Sequence, residues 1–107
     1  MRQWLVNTNF LCDKHLLGEH VEHHMFVGCI NKNMNLDGYF EKNLFDTSKI
    51  KSRHAELVKE MRKRHMRHTS DLPKFKYKKI GKVNINANVQ ELKNRCKECR
   101  KRIGENE

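Results

Sequence analysis

The sequence predicts an all-α protein, a compact single domain over residues 1–107 with three main helices joined by irregular loops. Two observations carry that prediction. Apolar residues recur at three- and four-residue spacing in three separate stretches, and each stretch is bounded by capping residues or by proline and turn-forming residues. No convincing run of period-two alternation marks a strand. Helices packed around one modest core are therefore the expected architecture, and a chain of 107 residues is long enough for one such core.

The first helix is expected to begin at Asp13, a good N-cap residue, and to run toward Cys29. Leu17, Val21 and Met25 recur every four residues and, widened by Leu16, mark its expected buried stripe. Residues 31–46 form the least regular stretch, where LDGY (36–39) reads as a turn and Tyr39, Phe40 and Phe45 as anchors to the core. A DTS cap at 46–48 opens the second helix. Its buried side is Ile50, Leu57, Val58 and Met61, and its wet side carries Lys51, Lys59, Arg62, Lys63 and Arg64. TSDLP (69–73) ends it, because proline restricts the residue before it. The third helix is expected from the capping-box spacing of Asn88 and Glu91 onward, with the stripe Val89, Leu92, Cys96, Cys99 and Ile103.

Charge points to the partner. The chain has 23 Lys and Arg against 13 Asp and Glu, a net charge of +10, which favours a polyanion because phosphate neutralisation releases counterions. Three basic patches concentrate it: RKRHMRH (62–68), KFKYKK (74–79) and RKR (100–102). Arg53, Arg62, Arg64 and Arg67, with Lys74, Lys76 and Lys78, are the candidate phosphate contacts, and Tyr77 can stack on a base. No membrane span or secretory leader is read in the opening residues. The four cysteines are accordingly read as reduced thiols of a cytoplasmic protein, the host cytoplasm if the source is a phage. A monomer without cofactor is expected.

Two motifs invite a metal reading. Cys96 and Cys99 form a CxxC, but no second CxxC or nearby CxxH completes a tetrahedral set, and both lie on the apolar stripe. They read as small core thiols, with zinc held by this pair and two histidines as a minor alternative. HLLGEHVEHH (15–24) places His20 and His24 at i and i+4, yet a zinc-protease helix needs HExxH, and Val21 stands where its glutamate belongs. A nonspecific site from His20, His24 and a distant Cys or His stays open. No metal is assigned. Glu22, beside these imidazoles, can serve as a general acid or base, or as an ordinary surface glutamate.

HLLGEHVEHHMFVGCI (15–30) closely resembles the first helix of the pyrimidine dimer DNA glycosylases, the small phage-type UV-repair endonucleases. The run His15, Leu16, Leu17, Gly18, Glu19, His20, Val21, Glu22 follows the family's pattern up to the catalytic glutamate. MRQW resembles their MRxW start, 53–73 their second helix and the turn after it, and 94–102 the end of their third. The resemblance implies a helical glycosylase with AP lyase activity, acting on double-stranded DNA that carries a lesion or modified base flipped from the duplex. It implies the α-amine of Met1 as nucleophile at C1′, a role suited to an amine of reference pKa about 7.7–8.0. It further implies Glu22 as the carboxylate that stabilises the sugar cation and assists proton transfer, with Arg2 and His15 lining the same site. The best-known member has threonine at the nucleophilic position, arginines where Val21 and Met25 stand, and an aromatic, basic tail. These departures leave open whether a pyrimidine dimer or another altered base is excised. A non-catalytic nucleic-acid-binding protein of the same fold is the alternative.

Overall fold

The structure is a computed structural model that describes residues 1–67 and 70–107. His68 and Thr69, which belong to the expected basic run and turn, lie outside the described residues. Five helices follow one another: α1 (Asp13–Asn31), α2 (Asp37–Glu41), α3 (Ile50–Lys63), α4 (Ile85–Arg95) and α5 (Lys97–Asn106), with single 3₁₀ turns at Thr8–Phe10 and Thr47–Lys49. Among the described residues there is no strand, only an isolated bridge between Asp46 and Gly81, so the all-α expectation holds. No helix of the described residues is long and apolar enough to cross a membrane.

Residues 1–7 run without helix along the molecule and are pinned by Gln3. Its backbone N–H donates to Leu44 O (2.9 Å), and its side-chain oxygen accepts from the Asp46 N–H (2.9 Å). The α1 helix packs on α3, while α5 packs on α4 and on the first 3₁₀ turn. One core cluster joins Trp4, Val6 and Leu11 to Leu16 of α1, Leu57 and Met61 of α3, Leu92 of α4, and Cys99 and Ile103 of α5. A second gathers Phe26 and Val27 of α1 with Phe45 and Ile50. Phe26 and Phe45 stack at 3.8 Å between centroids, and Tyr39 and Phe40 meet Phe26 edge-on, so the aromatics of 39–45 anchor this segment as expected.

Three helix ends share one device. Asn33, Asn43 and His65 take left-handed φ values of 55°, 56° and 61° just past α1, α2 and α3. The amide after each bonds back to the turn before, as in Met34 N–H to Cys29 O, Leu44 N–H to Tyr39 O and Met66 N–H to Met61 O. That pairing satisfies carbonyls which the helix end would otherwise orphan. Gly81 also has positive φ (83°), and a Cβ there would run into the Phe45 carbonyl, so only glycine lets the 74–82 loop close on Phe45.

Three expectations need correction. LDGY does not turn: Asp37 opens the one-turn helix α2, its N–H capped by Asn35 Oδ1 at 2.9 Å. The third helix is two helices. Asn84 caps α4 through the Ala87 N–H (2.9 Å), and the chain extends at Cys96 (φ −131°, ψ 111°) before α5. Asn88 is no cap, because it is buried and donates to Trp4 O at 2.8 Å.

The third correction concerns which way α1 faces. Leu17, Val21 and Met25 are 44%, 45% and 53% exposed, and the buried side is Leu16, Glu19, His20, His23, Phe26 and Val27. Rotation of the helix follows from its partners. Arg53 of α3 meets Glu19 through Nε at 2.7 Å and Nη2 at 2.9 Å, and gives Nη1 to Val6 O at 2.8 Å. A buried carboxylate is tolerable only with such a partner.

Candidate functional site

The extended N-terminal segment brings the start of the chain to Glu22. The Arg2 N–H donates to Glu22 Oε2 at 3.4 Å. Covalent geometry then holds the Met1 α-amine within about 7 Å of that oxygen, a gap that one sugar ring can fill. The Met1 side chain rests on the second core cluster, which fixes the direction of approach. Glu22 itself is half-buried, with Val21 beside it and Met25 one turn on, both exposed.

Arg2 contributes its backbone to this site while its guanidinium is held elsewhere. Nη2 donates to Asn88 Oδ1 and Nη1 pairs with Glu91, both at 2.6 Å, and the group lies 4.0 Å over the Trp4 ring. Trp4 in turn meets the edge of the His15 ring at 6.0 Å. Burial lowers the His15 pKa below its ordinary value, and Arg95 and Lys14 lower it further, against the opposing charge of Glu22. Met1, Arg2, His15 and Glu22 thus lie in one neighbourhood, ordered by Trp4, which the sequence offered only as part of the MRxW start, and by Asn88, which it offered as a helix cap.

Histidines fill the buried side of α1. The carbonyl of Glu19 accepts from His23 Nδ1 (2.8 Å), so Nε2 of the neutral ring is the acceptor for the Gln3 side-chain amide (3.2 Å). Burial lowers the His23 pKa, outweighing the Glu19 carbonyl and carboxylate, which raise it. His20, His24 and His54 gather beyond, with 3.2 Å between the Nε2 atoms of His24 and His54 and His20 stacked on His54.

The expected DNA contacts divide into two groups. Arg62, Arg67, Lys74, Lys76, Tyr77 and Lys78 are exposed, as a phosphate or base contact requires. Arg53 is not available: its side chain is 1% exposed and its nitrogens are engaged by Glu19 and Val6. Arg64 is 12% exposed and bonded to Glu60, Asp13 and Thr8 O, so it ties α3 to the N-terminal segment. A cleft of about 850 Å³ opens between Ile30, Lys51 and the loop carrying Pro73, Lys74, Phe75 and Tyr77. It contains neither Met1 nor Glu22. Asn31 and Thr47 hold that loop by bonds to Lys74 O (3.1 Å) and Lys79 O (2.6 Å).

Two clusters among the described residues are close enough to hold a metal ion: the three histidines, and Cys12, His15, Cys96 and Cys99. In the second, Cys12 Sγ lies 3.2 Å from His15 Nδ1 and 3.9 Å from Cys96 Sγ. Although burial raises the Cys96 pKa, hydrogen bonds led by that from the Cys99 N–H bring it below the ordinary value, and burial pushes Cys99 up to about 12. The cluster brings the CxxC together with a CxxH, Cys12 and His15, from the far end of the chain. That second motif is the signal present in the sequence, hidden by its distance from residue 96.

The family model of the pyrimidine dimer DNA glycosylases matches residues 1–74. It covers the N-terminal segment, α1, α2 and α3, and stops short of the expected likeness at 94–102. No curated protein and no solved structure matches the chain.

Proposed function

Since the chain belongs to the pyrimidine dimer DNA glycosylase family, we propose that it excises a damaged or modified base and then cuts the strand as an AP lyase. The carrying observation is the Arg2 amide on Glu22, which supports a Met1 amine within about 7 Å of that carboxylate. In the proposed reaction the Met1 nitrogen attacks C1′ and the bond from C1′ to the base breaks with its electron pair leaving on the base. Loss of the amine proton and opening of the sugar ring give the Schiff base. A proton is then taken from C2′, and the C3′–O bond breaks with the 3′ phosphate departing. Glu22 stabilises positive charge on the sugar and moves these protons, so its position against the amine matters more than its basicity alone.

His15 lines this site through Trp4, and the Arg2 guanidinium, fixed by Asn88 and Glu91, keeps the first residue from swinging away. Double-stranded DNA would lie across the exposed Val21 and Met25 face, with Arg62, Arg67, Lys74, Lys76 and Lys78 taking phosphates and Tyr77 stacking. Apolar residues beside Glu22 in place of arginines fit excision of another damaged or modified base as well as excision of a dimer. The test is borohydride trapping on duplexes carrying an abasic site, a cyclobutane dimer or a methylated or oxidised base. A trapped complex is expected on abasic DNA, with Glu22→Gln reducing strand cleavage by about 10²–10⁴-fold. Salt-sensitive binding with no trapped complex would favour the non-catalytic alternative.

A further inference from the structure

We propose that Cys12, His15, Cys96 and Cys99 form a structural site for one zinc ion, held by three thiolates and one imidazole nitrogen. The four ligand atoms all lie within 4.8 Å of one another. Zinc–sulfur bonds of about 2.3 Å set tetrahedral sulfur–sulfur edges of about 3.8 Å, and Cys12 Sγ and Cys96 Sγ are 3.9 Å apart. Small side-chain adjustments therefore close the set around an ion without moving the backbone.

The backbone places the two pairs alike. Cys12 is the N-cap residue of α1 and His15 sits in its first turn, while Cys96 is the N-cap residue of α5 and Cys99 sits in its first turn. The ends of two helices that carry partial positive charge thus meet at one cluster of sulfurs. The Cys12 N–H donates to Cys99 Sγ at 3.3 Å, and the Cys99 N–H donates to Cys96 Sγ at 3.4 Å. Such N–H bonds to sulfur orient ligands and stabilise their charge. Three thiolates and Zn²⁺ carry a net charge of −1, which Arg95 and Lys14 offset near His15. On binding, three zinc–sulfur bonds and one zinc–nitrogen bond form as three thiol protons pass to solvent.

The break between α4 and α5 also finds its reason here. Neither proline nor glycine interrupts residues 89–103, yet the chain extends at Cys96 and turns it into the cap of α5. Two ligands come from the part of the chain that matches the family and two from the part beyond residue 74. The ion would staple α5 to the start of α1, one ring away from the Met1 and Glu22 neighbourhood through His15 and Trp4.

The test uses the full chain, purified under reducing conditions and supplied with Zn²⁺ or Co²⁺. One zinc per chain is expected by elemental analysis after dialysis. Cobalt should give thiolate-to-metal charge-transfer absorption with the visible bands of a tetrahedral ion. Chelation should lower the melting temperature by more than about 10 °C. Cys96→Ser should abolish the thiolate band, whereas Cys29→Ser, outside the cluster, should retain it. A folded chain that takes up no zinc would overturn the proposal, as would a disulfide linking these cysteines. An ion bound without thiolate absorption would assign it to the histidines and overturn it equally.

Discussion

The two faces of α1 invert the usual distribution of residue types. Toward the core it presents Glu19, His20 and His23 among Leu16, Phe26 and Val27, and toward solvent it presents Leu17, Val21 and Met25. The inward polar groups belong to a bonded framework: Glu19 with Arg53, and His23 with Gln3 and the Glu19 carbonyl. On the outward side, apolar surface flanks Glu22, the α1 carboxylate that accepts from the Arg2 N–H. The contrast teaches that burial on this helix follows hydrogen-bond partners supplied by other elements, while the exposed face is free to serve a ligand. Changes inward should cost stability, and changes outward should alter DNA binding at little structural cost.

The largest effect should come from Arg53→Leu, which leaves the Glu19 carboxylate buried without its cation. The expected loss is about 3–5 kcal/mol in urea unfolding. If Arg53 served DNA instead, the variant would melt normally and lose only a salt-sensitive contact. Next comes Gln3→Leu, which deprives the Asp46 N–H and His23 Nε2 of their partner. About 1–3 kcal/mol should be lost, with strand cleavage reduced as residues 1–3 loosen beside Glu22.

Acid should act on the same inward face. Burial holds the folded His23 pKa below its ordinary value of 6.5, helped by Arg53 and His24 and opposed by Glu19. The unfolded chain therefore takes up this proton first. The stability contribution is complete above pH 6.5 and declines as pH falls from there toward the folded pKa. Melting temperature should drop as pH falls below about 6.5, and His23→Gln should flatten that slope; an unchanged slope would break the account of a neutral, bonded ring. The smallest structural effect belongs outward. Val21→Arg with Met25→Arg should change stability by no more than about 0.5 kcal/mol, yet steepen the salt dependence of DNA binding by about two units of slope.

Legibility followed the range of the interactions. The α3 helix was readable because its stripe of Ile50, Leu57 and Met61 and the Asp46 cap of the 3₁₀ turn that leads into it are local features. The basic loop at 74–79 was readable from charge alone. The α1 helix was readable as a helix but misread in rotation. It carries apolar residues on both faces, and only Arg53, 34 positions away, decides that Glu19 goes inside. The split of the third helix at Cys96 was hidden too, because Cys96 and Cys99 meet Cys12, more than 80 positions away, only in the fold. At the candidate site the resemblance supplied Met1 and Glu22, whereas the part that Gln3, Trp4 and Asn88 play in holding the segment declares itself only through contacts.

The central claim is that the first residue's amine, set against Glu22, is the nucleophile. Its most direct test is mass mapping of the borohydride-trapped complex on abasic DNA. The account predicts a sugar remnant on the Met1 nitrogen, and no trapped complex once that amine is acetylated. A remnant on a lysine of the 74–79 loop, or undiminished trapping after acetylation, would contradict it.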